Sequence, residues 1–123
     1  MYQLSTSVND DILEILLTGT VAGHIIPKIQ KEIQAIRTEK RDIILLDIRP
    51  VTKGKTYTYV DTLYYIKIPD KATGKTAILD NPENGYVKSF IEKIPWGSFL
   101  KVRWFDNIDE AKDWLKSSGR GEI

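Results

Sequence analysis

Three aspartates, Asp47, Asp80 and Asp106, each fall at an expected strand end. In open α/β sheets ligands bind outside the carboxyl ends of the strands. Three carboxylates converging there would suit a hard cation such as magnesium, and with it a metal-dependent enzyme. A plainer account competes with this one. Asp80 and Asp106 directly precede expected helix caps, where an acid favours the positive helix end. His24 is the single histidine. Without a partner placed beside it, it gives neither a nucleophile–base pair nor a two-histidine metal site, and near the start of the first helix it reads as a surface or loop residue. The tripeptide GKT occurs at 54–56 and 74–76. A phosphate-binding loop needs a further glycine five positions earlier, where Arg49 and Pro69 stand. There is no cysteine, so disulfides, thiolate nucleophiles and thiolate metal sites are excluded. No cofactor is expected.

Charge and aromatic side chains gather in the middle of the chain. Between Arg49 and Lys75 six basic residues face only Asp61 and Asp70, a local +4 in a chain whose net charge is +1. Within this stretch Arg49, Thr52, Lys53, Lys55, Thr56, Tyr57, Tyr59 and Tyr64 form the candidate partner- or ligand-binding set. Tyrosines 57, 59, 64 and 65 crowd one segment, and Trp96, Trp104 and Trp114 come later in the chain. Tyr and Trp join apolar area to a polar handle, which suits partner surfaces and ligand pockets. A basic, tyrosine-rich face would receive an acidic protein surface, a phosphate or an anionic headgroup. The competing reading is a core stripe with ordinary solvated lysines. No RNA- or DNA-binding motif accompanies the charge, so no nucleic-acid partner is expected.

Periodicity gives the elements that must position these residues. YQLSTSV alternates as a half-exposed strand, VNDD is a turn signal, and ILEILLTG reads as a second, more buried strand ended by Gly19. Ile25, Ile26, Ile29, Ile33 and Ile36 fall at helical spacing, with Pro27 fixing the helix start. Four apolar residues in succession, Ile43 to Leu46, suit a central strand covered on both faces. A helix is expected over roughly 57–66 as a parallel crossover. GKTAILD reads as a short buried strand. NPENGYVKSFIEKI reads as a helix with Asn81 as its cap and Pro82 at its first position. FLKVRWF alternates as an edge or near-edge strand. DNIDEAKDWLKSS is a last helix capped by Asn107, with Ile108, Ala111 and Leu115 inward. The order is β-β-α-β-α-β-α-β-α, an α/β fold with a mixed, mostly parallel five-stranded sheet.

The 123 residues fit one domain, 1–123, with 117–123 as a frayed tail. No apolar run approaches the ~20 residues of a membrane span. The opening MYQLSTSVNDD lacks the basic region and apolar core of a signal peptide, so a cytoplasmic protein is expected. The element order, with LTGTVAGHIIPKIQKEI opening the first helix and VRWFDNIDEAKDWL near the end, resembles a STAS domain of the SpoIIAA-like branch, which is in turn related to the SEC14 lipid-binding fold. The resemblance implies a non-catalytic regulatory or protein-interaction domain. In anti-sigma-factor antagonists the segment after the third strand carries a phosphorylatable serine. The matching stretch here, Ile48 to Tyr59, lacks the Asp-Ser-Ser-Gly run and offers Thr52, Thr56 and Thr58 instead. The SEC14 relationship implies an alternative, a carrier or sensor of a small amphipathic ligand lined by Tyr57, Tyr64, Phe90 and Ile94. Homodimers are also expected, through the Phe99–Phe105 edge.

Overall fold

The computed structural model describes residues 1–37, 43–54, 75–84 and 102–117. The chain opens with a hairpin. β1 (Tyr2–Asn9) runs antiparallel to β2 (Ile12–Val21), with Tyr2 opposite Gly19 and Asn9 opposite Ile12. Asp10 and Asp11 make the turn, both at positive φ, 54° and 66°. A two-residue turn that matches strand twist needs that backbone, and aspartate tolerates it. β2 does not end at Gly19 but runs on to Val21. Gly19 sits at φ +95°, and a Cβ there would collide with the Met1 carbonyl oxygen. The glycine is a point of close backbone approach rather than a strand end.

After a 3-10 turn (Gly23–Ile25), α1 (Ile26–Ile36) buries Ile26, Ile29 and Ile33, with Pro27 in its first turn. Next come β3 (Ile44–Asp47), β4 (Val51–Lys53), β5 (Thr76–Leu79), β6 (Val102–Phe105) and α2 (Ile108–Ser117). The sheet order is β1-β2-β3-β5-β6, with β4 beside the end of β2. Among the described residues only the hairpin pairing is antiparallel. The mixed, mostly parallel sheet is the expected one, and the described residues contribute six strands to it where the sequence predicts five. The helix expected over 57–66 lies outside the described residues, as does most of the one expected after Asn81. There the described residues form a 3-10 turn, Pro82–Asn84. α2 is capped as expected, the Glu110 amide donating to Asn107 Oδ1 at 3.0 Å.

β3 fills the inner position because both of its faces are apolar. Ile44, Leu46 and Ile48 join Leu13, Ile15, Leu17 and Ile78 in a core shared with α1. Leu45 joins Ile12, Ala77 and Leu79 in a second core under Ala111 and Leu115 of α2. Ion pairing adds to the second layer, with Lys112 of α2 3.1 Å from Glu14 of β2. On the first layer Arg37, just past α1, donates to Thr76 Oγ1 at 3.0 Å.

Leu46, 1% exposed, and Leu16, 38% exposed, offer a matched pair. Leu46→Ala should cost about 2–5 kcal/mol of stability through lost burial and a cavity. Leu16→Ala should stay within about 0.5 kcal/mol. Denaturant titration reads both.

The Tyr2 hydroxyl donates to Glu32 Oε2 at 2.6 Å and so ties β1 to α1. That bond, with a smaller effect of burial, pushes the phenol from its ordinary 10.0 up to about 12. The neutral phenol is the bonded form. Its contribution to stability is therefore full below pH 10 and is lost as pH rises towards 12. Ultraviolet titration should show one tyrosinate forming near pH 12, and Tyr2→Phe should remove that step.

Candidate functional site

The rim after β3 is built by a shift in strand register. Leu16 pairs with Asp47, and Gly19 pairs with Val51. Two residues of β2 thus face three residues between β3 and β4, Ile48 to Pro50. The Val51 amide closes this turn on the Ile48 carbonyl at 3.1 Å. One inserted residue reverses which face the following side chains take. Val51 therefore packs on the same core as Ile44, Leu46 and Ile48, and Lys53, two residues on, shares that face. Thr52 points the other way and is exposed. Gly54 closes the segment, its amide donating to the Val21 carbonyl at 2.8 Å. A Cβ on Gly54 would stand 3.2 Å from the Ala22 Cα and the Val21 oxygen, so this glycine serves strand packing and not a phosphate loop.

The expected aspartates go to separate places. The Asp47 carboxylate accepts two bonds from the Arg49 guanidinium, at 3.0 and 2.7 Å, and one from the Arg49 amide at 3.1 Å. This bond to Asp47 is also the main reason the guanidinium pKa is raised. Arg49 is thus an exposed but locally neutralised cation. Asp106 is exposed. Asp80, expected as a helix-start acid, is instead 1% exposed. Its Oδ1 accepts from the Asn81 amide at 2.8 Å and its Oδ2 from the Trp104 indole at 3.3 Å. Lys53 Nζ lies 3.9 Å from the same Oδ2. A buried carboxylate needs such partners. Asn81 then reaches back, its Nδ2 donating to the Arg49 carbonyl at 2.9 Å. Among the described residues no three His, Asp or Glu side chains are grouped so as to hold a metal ion.

Sequence reasoning misses this Lys53–Asp80–Trp104 cluster, although a signal exists. Thr76, Ile78 and Asp80 alternate on one face, and β5 and β6 pair Ile78 with Trp104. Of the candidate binding set, Arg49, Thr52 and Lys53 share one turn-and-strand segment. Lys55, Thr56, Tyr57, Tyr59 and Tyr64 lie outside the described residues, as do Phe90 and Ile94 of the carrier reading. His24 is exposed in the 3-10 turn before α1. Trp114 is half-buried against Phe105, at 5.7 Å between ring centroids, with Lys75 Nζ 4.2 Å from its own centroid.

An anti-sigma factor antagonist from Mycobacterium paratuberculosis superimposes with a TM-score of 0.61 over 94% of each chain at 11% identity. The anti-sigma factor antagonist SpoIIAA, in its unphosphorylated form, gives a TM-score of 0.58 over 95% of this chain and 99% of its own, at 19% identity. The chain has the SpoIIAA-like, or STAS, fold. A DUF3478-family protein of SpoIIAA-like fold from Shewanella loihica PV-4 matches at 0.58, covering 93% of each chain at 14% identity. No family model matches the sequence, and no curated protein sequence matches it. On this SpoIIAA-like frame the Arg49–Lys53 rim lies at the carboxyl end of the inner strand. Among the described residues no helix is long and apolar enough to cross a membrane.

Removing the Asp80 carboxylate would leave the buried Trp104 indole without this acceptor. Asp80→Ala should cost about 1–3 kcal/mol, and the tryptophan emission should shift. Denaturation followed by fluorescence reads both, and the emission change should vanish in a Trp104→Phe background.

Proposed function

We propose that this chain is a non-catalytic regulatory domain of the cytoplasm that binds a protein partner through its Arg49–Tyr65 segment. The carrying observation is the likeness, over more than nine-tenths of each chain, to two anti-sigma factor antagonists. By that analogy the partner is an anti-sigma factor. Thr52, Lys53 and Arg49 stand on the rim after the inner strand, the end of an open α/β sheet at which binding surfaces form. Among the described rim residues Arg49 is paired with Asp47 and Lys53 with Asp80, while the sequence from Arg49 to Lys75 carries four more basic than acidic residues. An acidic partner surface fits that charge.

Thr52 is the described threonine best placed for modification, being exposed and adjacent to Lys53. A phosphate there would add about −1.5 to −2 charge beside two cations already paired with carboxylates, which would weaken the attraction for an acidic partner.

The test is calorimetric titration against the anti-sigma factors of the same cell. A partner should bind the unaltered domain and lose at least about thirtyfold in affinity, ~2 kcal/mol, when Arg49, Lys53, Lys55 and Tyr59 are all changed to alanine. A partner that binds the quadruple variant unchanged would reject this face.

A further inference from the structure

The two ends of the sheet order are built differently. β6 has four residues and carries the exposed Arg103, and a charged edge discourages pairing with another chain. β1 is eight residues long, YQLSTSVN, with no charge and no proline. All of Ser5 to Asn9 is exposed, and among the described residues no strand pairs with its outer side. Long, uncharged, unprotected edges are templates for another strand.

We propose that β1 is a dimerisation edge whose occupant is β1 of a second copy, paired antiparallel about a two-fold axis through Ser5. The register is set by geometry. A two-fold axis between antiparallel strands stands perpendicular to the sheet, so opposed residues must share a face. Tyr2, Leu4, Thr6 and Val8 form one face of β1, opposite Gly19, Leu17, Ile15 and Leu13. With Ser5 on the axis, Leu4 meets the second copy's Thr6, and Tyr2 meets its Val8. Val8 is 46% exposed, an apolar side chain otherwise left in water. An aromatic beside a β-branched residue is a favourable cross-strand pair. Neutrality along the strand means that no like charges oppose one another in this arrangement. The product is one continuous sheet through both copies, closed by its symmetry. This places self-association on β1 rather than on the Phe99–Phe105 edge.

The axis makes the proposal testable at one exposed position. S5K sets two lysines directly against each other, about 5 Å apart at Cβ, and S5E does the same with two glutamates. Sedimentation equilibrium of the full chain across the micromolar range should give twice the 14.1 kDa chain mass. Each variant, checked for an unaltered circular dichroism spectrum, should sediment as a monomer. An equimolar mixture of S5K and S5E should recover the dimer, because opposite charges then meet on the axis; this outcome also shows that both variants are folded. A monomeric unaltered chain, a dimer that S5K leaves intact, or a mixture that stays monomeric would each overturn the proposal.

Discussion

Ile44, Leu45 and Leu46 send successive side chains to opposite faces of the sheet, and none of the three reaches water. A strand in this state must have an apolar layer on each side, and the fold supplies both. α1 lies over Ile44 and Leu46, and α2 over Leu45. β3 also has a strand on each edge, β2 and β5, both parallel to it. Being enclosed in both directions makes it the fixed part of the molecule, and the segment leaving its carboxyl end starts from a fixed point.

That segment carries a single inserted residue. Ile48 to Pro50 span a gap that β2 covers with two residues, so the chain resumes beside β2 with its faces exchanged. Val51 then reaches the core of α1, and Lys53 reaches the buried Asp80. Asp80 in turn holds the Trp104 indole and the Asn81 amide, while the Asn81 side chain holds the Arg49 carbonyl. The rim is therefore held from three strand ends at once. On the proposed function, a surface so held would present Thr52 without ordering a loop first, which lowers the entropic cost of binding.

Much of this is legible in the sequence because burial leaves a periodic trace. The run Ile43–Leu46 has no polar position, and the isoleucines of α1 repeat at helical spacing. Asn107 is legible as a cap because its short side chain competes for helix-start amides. β4 is not legible: it has three residues, one of them lysine, and an inserted residue leaves no period of its own. Gly19 reads as a strand end because glycine weakens strands, whereas here it admits the Met1 carbonyl. Asp80 reads as a helix-start acid because sequence does not show an indole 24 positions away on the same face. Arg49 counts as a free positive charge in the sequence, yet it stands two residues from Asp47. The chain turns there, and the Asp47 carboxylate accepts from both the amide and the guanidinium of the residue two positions on.

The central claim is that β3 is the enclosed inner strand from which the rim is built. Native-state hydrogen exchange followed by NMR tests it most directly. Amides of Ile44, Leu45 and Leu46 should exchange only through global unfolding, with opening free energies equal to the stability from denaturant titration. Asp10 and Asp11 in the exposed hairpin turn should exchange through small local openings. Exchange of the β3 amides at opening energies as low as those of that turn would contradict the account.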